Sequence, residues 1–184
     1  MGGCLETIAG RAPGRGRLGA WLAALLVAGV LSPGGADAEE LAIAVFDFEL
    51  IDTSLEGEVG GKRPDEQQRL VLISDKLRQM LTDTGRYRLI DVSPAQAEIE
   101  AAGYLHGCNG CDAKIAGSLG AERAVTGTVQ KVSNLILNIN LYERDVASGD
   151  LLRAMSVDIR SNTDKSWTRG VSYLVRNRFL KEKK

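Results

Sequence analysis

Two cysteines separated by two residues, Cys108 and Cys111, form the sharpest chemical motif in this chain of 184 residues. In an oxidising compartment a pair at this spacing favours a disulfide, and the Asn-Gly between them suits a tight turn. We therefore predict a disulfide that staples the loop between two helices. A redox-active pair is the alternative, because Cys111 opens a predicted helix whose N-terminus would stabilise a thiolate.

Other chemistries of a cysteine pair meet specific obstacles in this sequence. Covalent haem attachment needs a histidine directly after the second cysteine, and Asp112 stands there. A zinc site needs four ligands, and the two thiols with His106, the only histidine of the chain, fall one short unless Asp112 joins them. We therefore expect neither a metal ion nor a cofactor.

A polar segment after the first predicted strand partly imitates a calcium-binding loop. Oxygen-bearing side chains lie at its first, third and fifth positions, from Asp52 to Glu56, and Gly57 follows at the sixth. The twelfth position, where a bidentate carboxylate belongs, is Arg63. A solvated, irregular loop over residues 52–63 is therefore a better interpretation than a cation site.

Two aspartates lie at the ends of predicted strands, Asp47 at the end of the first (41–48) and Asp91 at the end of the second (87–92). Ligands gather at the carboxyl ends of strands in open α/β sheets, so these aspartates with Lys62 and Arg63 form a candidate pocket for a small solute. Capping of loops or helices is the competing role for the aspartates. Neither a Ser-His-Asp set nor a phosphate-binding loop accompanies them, and we expect no enzyme.

The elements that position these residues follow from hydrophobic periodicity. The run 41–48 is almost continuously apolar, which is typical of a strand buried on both faces. Apolar residues recur at helical spacing over 64–85, which predicts a helix. Apolar and polar residues alternate over 135–146, and a second apolar strand pattern follows over 151–159, so these two segments are predicted to form an antiparallel pair. The predicted order is β-α-β-α-α-β-β-β-α. This is an α/β fold whose mixed sheet starts parallel, ends as an antiparallel meander and packs against helices.

The alternation also predicts which side chains of the later elements face the core. Four side chains of the meander's first predicted strand share one face, and four of its returning strand point the same way. We expect the last helix to place another four side chains along one side. These sets are Leu135, Leu137, Ile139 and Leu141; then Leu151, Met155, Val157 and Ile159; then Trp167, Val171, Leu174 and Arg178.

The first 38 residues carry the features of a cleavable export signal. Basic residues between Arg11 and Arg17 precede an apolar run over 18–31. That run is shorter than the ~20 residues that span a bilayer, and Ala36-Asp37-Ala38 offers the small-x-small pattern of a cleavage site. We predict cleavage near Ala38, a single domain over residues 39–184 and a periplasmic location. An uncleaved membrane anchor is the alternative.

Three passages together resemble a pattern of bacterial envelope proteins. They are AVFDF over 44–48, Leu119-Gly120-Ala121 leading into the strand 124–129, and the hairpin passage 142–149. The pattern resembles that of the TolB amino-terminal domain, the curli-secretion lipoprotein CsgG and the flagellar outer-membrane protein FlgO. It implies an envelope domain that works by contact. More closely, the string 126–137 resembles a family of exported proteobacterial proteins of unknown function, which implies work alongside periplasmic quinoprotein alcohol-oxidation systems.

We therefore predict a non-catalytic periplasmic accessory protein whose partners are envelope proteins. The 23 Lys and Arg residues nearly balance 24 Asp and Glu, which disfavours nucleic acid as a partner, and no span follows residue 31. Aromatic and arginine side chains most often carry interface energy, so the candidate surface joins the outer face of the meander to the last helix. Its residues are Asn138, Asn140, Tyr142, Trp167, Tyr173 and Arg176. Core packing is the alternative for Trp167.

Overall fold

The computed structural model describes residues 39–181, so the predicted signal segment lies outside the described residues. The strands are β1 Leu41–Val45, β2 Glu49–Asp52, β3 Tyr87–Ile90, β4 Arg123–Ser133, β5 Ile136–Asp145 and β6 Leu151–Ile159. The helices are α1 Leu55–Gly60, α2 Pro64–Thr82, α3 Gln96–Ala102, α4 Cys111–Ser118 and α5 Asp164–Leu174, which continues into a π-helical segment at Val175–Phe179. Between residues 39 and 181 no helix has the length and apolar character needed to cross a bilayer.

The six strands form one mixed sheet in the order β3-β1-β4-β5-β6, with β2 pairing to β4 beyond the end of β1. Strands β1 and β2 run parallel to β4, and β3 runs parallel to β1. Strands β4, β5 and β6 form the antiparallel meander. The predicted α/β class with a parallel start and an antiparallel end is confirmed.

Helices cover the two faces of this sheet unequally. On the first face α2 and α5 bury the larger core, which includes Ile43, Val125, Ile139 and Trp167. On the second face α3, α4 and a 3₁₀ turn at Leu105–Gly107 cover a smaller core around Phe46. This second helical layer lies over the β3-β1-β4 half of the sheet.

The prediction of one strand over 41–48 and an irregular loop over 52–63 is wrong in detail. The strand stops at Val45, and β2 then pairs beside the far half of β4. Helix α1 forms because the Ser54 hydroxyl accepts a hydrogen bond from Gly57 N (3.1 Å) while Asp52 accepts from Ser54 N (2.9 Å). A serine cap of this kind satisfies an orphan donor of the first turn, so six residues become helical.

Burial along the meander differs from the predicted alternation at both ends. Leu135 is 70% exposed because β5 begins only at the next residue, and Leu151 is 49% exposed at the opposite edge. A register shift between Glu143 and Arg144 displaces the pairing near Leu151. The central positions follow the prediction: Leu137, Ile139 and Leu141 are buried.

The last helix departs from the predicted stripe after Leu174. Trp167, Val171 and Leu174 are buried as expected. The π-helical segment then widens the turn, so that Val175 and Phe179 take the buried side and Arg178 is exposed. The assignment of Arg178 to the inner stripe is therefore wrong, since a π turn shifts every later side chain relative to 3.6-residue spacing.

Candidate interaction surface

A disulfide joins Cys108 to Cys111 in the loop before α4. The turn is sharp enough to need left-handed backbone at Asn109 (φ 52°) and Gly110 (φ 103°), residue types that tolerate it. Cys111 is the first residue of α4, as expected.

The segment before the disulfide is tied to the sheet through one carboxylate. Glu49 of β2 accepts hydrogen bonds from Leu105 N (2.6 Å) and His106 N (3.3 Å), and its Oε2 lies 2.8 Å from His106 Nδ1. This imidazole nitrogen is thus engaged by Glu49 rather than directed at the two sulfurs. The contacts fix the disulfide loop to β2 across 57 residues of sequence.

Of the predicted pocket residues Asp47, Lys62, Arg63 and Asp91, all but Lys62 are engaged by neighbouring side chains or backbone. A cleft of about 330 Å³ opens between β2, α2 and the 103–104 turn, and Lys62 is the one member of that set lining it. Asp47 instead accepts from Arg78 Nη2 (2.6 Å). Asp91 accepts from Ser93 N and Oγ, and these bonds lower its pKa. The aspartates therefore have the alternative, structural role: Asp47 binds a side chain of α2, and Asp91 stabilises the turn that follows β3.

Arg63 takes part in a local ion-pair group at the start of α2. It pairs with Glu56 and donates to Asp65 (3.1 Å), and Asp65 also pairs with Arg69 (3.0 Å). Hydrogen bonds from Arg63, then Arg69, lower the pKa of Asp65 to about 2. These exposed contacts join α1 to α2 and hold Arg63 in place.

A buried lysine cluster is the feature that sequence reasoning missed. Lys131 has no exposed surface, and its Nζ lies 2.7 Å from Glu66, 3.1 Å from Asp52 and 3.4 Å from Glu56. Glu66 is equally buried and also accepts from Asn162 Nδ2 (2.6 Å). The cluster therefore links β2, α1, α2, β4 and the loop before α5.

The pKa values of Lys131 and Asp52 are shifted in the directions that favour their charged forms. Burial opposes the charge of Lys131, but its bonds to Glu66 and Asp52 outweigh that effect and raise its pKa. Burial likewise opposes the charge of Asp52, yet hydrogen bonds from Ser54, with those of Lys131, lower its pKa. Because these charges pair with one another, the arrangement is an internal brace rather than a proton-transfer site.

The meander's outer face is the half of the second face that the helices leave uncovered. Tyr142 and Asn138 lie half-buried on it, and Asn138 Nδ2 bonds Ser156 (2.9 Å) and Asp158 (2.8 Å) of β6. Asn140 is buried, with its Nδ2 donating to Thr128 (3.3 Å), so its assignment to an exposed surface is wrong. It lies on the central part of β5, between Thr128 of β4 and Ser156 of β6.

The last helix contributes two of its three predicted surface residues. Trp167 is fully buried in the larger core, so its place on a contact surface is wrong and the core alternative holds. Tyr173 is 46% exposed and Arg176 is exposed. Because α5 packs on the first face and Asn138 and Tyr142 lie on the second, the predicted single surface is in fact two surfaces on opposite sides of the sheet.

The fold and these surfaces define a mixed α/β sandwich with one face half covered by helices. The chain belongs to the family described as "Protein of unknown function (DUF2380)", whose model matches residues 41–179. This agrees with the predicted membership of a family of unknown function. No curated protein matches the chain.

Solved structures of several bacterial proteins are similar to this chain at low identity. The C-terminal domain of LpoB from Salmonella enterica is 14% identical, with a TM-score of 0.47 over 70% of this chain and 87% of its own. Lipoprotein GNA1162 from Neisseria meningitidis is 14% identical, with a TM-score of 0.46 over 78% and 99%. TolB from Acinetobacter baumannii is 12% identical, with a TM-score of 0.42 over 77% of this chain and 29% of TolB. Likenesses this distant assign no function, and the grouping with CsgG and FlgO stays a prediction.

Proposed function

We propose that this chain is a non-catalytic periplasmic accessory protein that contacts another envelope protein through the uncovered half of its sheet. The surface consists of the outward side chains of β5 and β6, which include Asn138, Tyr142, Ser156 and Asp158. The observation that carries the proposal is this bare half-face. The helical layer lies over β3, β1 and β4 and reaches β5 only at its end, where Arg144 pairs with Asp112 of α4 (3.3 Å), while the sheet continues through β5 and β6.

The chemistry of the bare half-face suits a protein partner. Asn138, Ser156 and Asp158 present hydrogen-bonding groups already ordered by their own contacts, so little side-chain entropy is lost on binding. Tyr142 adds a half-buried aromatic ring beside exposed Ala154, its neighbour on β6. Tyrosine is one of the residue types enriched at protein interfaces.

The cellular setting of the proposal rests on the sequence. The export signal over 1–38, with the domain following it, supports a periplasmic location. The resemblance to exported proteobacterial proteins supports a partner among quinoprotein alcohol-oxidation components. We further propose that CsgG and FlgO share this domain design while performing different tasks.

Substitution of Tyr142 tests the contact surface. Tagged protein recovered from the periplasm is used to capture partners, which are identified by mass spectrometry, with wild type and Tyr142→Ala compared. Tyr104→Ala is the matched control, since Tyr104 is an exposed tyrosine outside this half-face that lines the cleft beside β2. We expect Tyr142→Ala to lose a quinoprotein dehydrogenase component at unchanged melting temperature, and Tyr104→Ala to retain it. Retention by both variants contradicts the proposed surface.

A thiol-redox protein is the second candidate, favoured by the position of Cys111. This residue begins α4 and lines a mostly apolar groove of about 470 Å³ with Ile115 and Lys114. A helix N-terminus and a nearby ammonium group both favour a thiolate. The groove would accommodate an apolar part of a substrate disulfide.

Replacing both cysteines separates the two candidates. Closing so short a loop contributes only about 2 kcal/mol in the chain-entropy model, so Cys108→Ser with Cys111→Ser should lower stability by that amount or less. Under the contact proposal, partner capture survives the double change. If the double variant is as stable as wild type but no longer captures the partner, or no longer supports the cellular phenotype, the redox proposal replaces the contact proposal.

A further inference from the structure

The outer side of α5 carries a strip of basic side chains that the proposed contact face does not use. Two shallow grooves, of about 500 and 540 Å³, run along this side and share Arg169 and Tyr173. The cations lining them come from the end of β6, from α5 with its π-helical extension, and from α2. They are Arg160, Lys165, Arg169, Arg176 and Lys76.

None of these five cations has a carboxylate partner among residues 39–181. The neighbouring acidic groups are occupied: Asp75 pairs with Arg78 and Asp164 with Arg69. Asp158 is the one carboxylate among the described residues lining either groove, and it accepts from Asn138. Five cations against one carboxylate is a local excess in a chain whose net charge is −1. Such a patch raises the local concentration of anions and steers their approach.

The spacing of the cations indicates the shape of the anion. Lys165, Arg169 and Arg176 recur along one side of the helix, and at ~1.5 Å per residue they extend over about 16 Å. A single compact anion would contact one or two of them. An extended peptide, at ~3.3 Å per residue, matches this length with about five residues.

Tyr173 adds a contact that a simple electrostatic patch would lack. It is 46% exposed and lines both grooves between Arg169 and Arg176. An aromatic ring between arginines can pack against the aliphatic part of a peptide while the guanidinium groups bind its carboxylates.

We propose that this strip, formed by Lys76, Arg160, Lys165, Arg169, Tyr173 and Arg176, binds an extended acidic segment of a protein partner. The strip lies on the helix-covered face of the sheet and Tyr142 on the other face, so it is a second binding site that meets the bare half-face only at Asp158 of the edge strand β6. A domain with both sites can bridge two envelope proteins, one on each side of its sheet.

The test measures binding of a fluorescent peptide of five consecutive glutamates by anisotropy, at an ionic strength of about 0.15 M, where remote surface charges are largely screened. We expect wild type to bind, and Arg169→Glu with Arg176→Glu to weaken binding at least about tenfold through like-charge repulsion. The neutral pair Arg169→Gln with Arg176→Gln should fall between them. Arg86→Glu with Arg88→Glu is the matched control. It makes the same net-charge change at exposed residues elsewhere and should stay within about twofold of wild type.

Three results would overturn the proposal. One is an absence of peptide binding by wild type, and another is an equal loss in the control pair, which would reduce the effect to net charge. The third is tighter binding to phosphatidylglycerol vesicles than to the peptide, with the same dependence on Arg169 and Arg176, which would make the ligand a membrane surface. Tyr142→Ala should leave peptide binding unchanged, so this site and the bare half-face can fail separately. Circular dichroism and melting temperature establish that each variant is folded.

Discussion

The most unusual residue of the domain is Lys131, a lysine with no exposed surface in the middle of an ion cluster. A buried charge is tolerated only when it is paired and hydrogen-bonded, and Glu66 and Asp52 meet that requirement. The cluster fixes the relative position of β2, α2 and β4. The surface of this protein that contacts a partner keeps one geometry only if these elements do. The ion cluster therefore supports the proposed function indirectly, by holding them in place.

Removing the ammonium group of Lys131 should therefore be costly. We expect Lys131→Met to lower the free energy of unfolding by about 3–5 kcal/mol, because Glu66 is left buried without its cation. Urea unfolding measures the change. Lys114→Met is the matched control, since Lys114 is exposed, and should lie within about 0.5 kcal/mol of wild type.

The loss of stability in Lys131→Met should depend on pH. The pKa of Asp52 and of Glu56 is lowered in the folded protein, so their contribution to stability is present above their unfolded pKa and is lost as pH falls through the folded one. Lys131 is part of the cause for both carboxyls. The stability gap between wild type and Lys131→Met should therefore narrow from pH 7 to about pH 3, below the unfolded values. A gap that is constant with pH would mean that lost packing, not lost charge, explains the variant.

The sequence pattern indicates that two residues of this cluster face the core, but it does not indicate that they pair. Lys131 follows Val125, Gly127 and Val129 at the period-two spacing of β4, so its position pointed to the core. Glu66 likewise precedes Leu70, Ile73 and Leu77 on the buried stripe of α2. A charged residue at a core-facing position is the available signal. Its partner was not predictable, because the contacts join residues 65 and 79 positions apart.

At the scale of elements, close packing between α5 and the sheet depends on Gly170. A Cβ at this position would lie 2.8 Å from Ile139 Cδ1 and 2.8 Å from Ile159 Cγ2. Glycine is a poor helix former, so its presence in mid-helix reflects the space between helix and strands.

Gly170→Ala should thus destabilise the protein although alanine favours helices. We expect a net loss of about 1–2 kcal/mol, since overpacking a core costs about 1–3 kcal/mol and helix propensity returns up to about 1 kcal/mol. Gly60→Ala in α1 is the matched control, because nothing lies within 4 Å of its Cβ position. That change should be neutral or slightly stabilising by thermal unfolding. Equal effects of the two changes would contradict the packing argument.

Elements with long periodic patterns were predictable, and those created by tertiary contacts were not. The α2 stripe and the β5-β6 alternation gave α2, β5 and β6 within a few residues. Strand β2 has only four residues, all half-buried, and exists because β4 is long enough to pair with β1 and then with β2. The π-helical turn after α5 cannot be recognised from the spacing of apolar residues in the sequence. The outward position of Arg178 could therefore not be predicted.

At the scale of the whole molecule, two surfaces lie on opposite faces of the sheet, and the first strand of the described chain is an interior strand. Strand β1 lies between β3 and β4 and is hydrogen-bonded on both sides. A processing event that removed part of β1 would disrupt an interior strand of the sheet. Any cleavage of an export signal must therefore fall before Leu41, where Glu39 and Glu40 are exposed and outside the sheet.

Cleavage after Ala38 meets this condition and leaves two residues before β1. We expect the intact mass of protein recovered from the periplasm to correspond to a chain that begins at Glu39. Ala38→Leu places a bulky residue where the peptidase needs a small one and should leave the full-length chain in the membrane fraction. Asp37→Asn changes the unconstrained middle position and should be processed as in wild type. Full-length wild-type chain in the membrane fraction would contradict both cleavage and release, and the contact face would then act at the membrane surface.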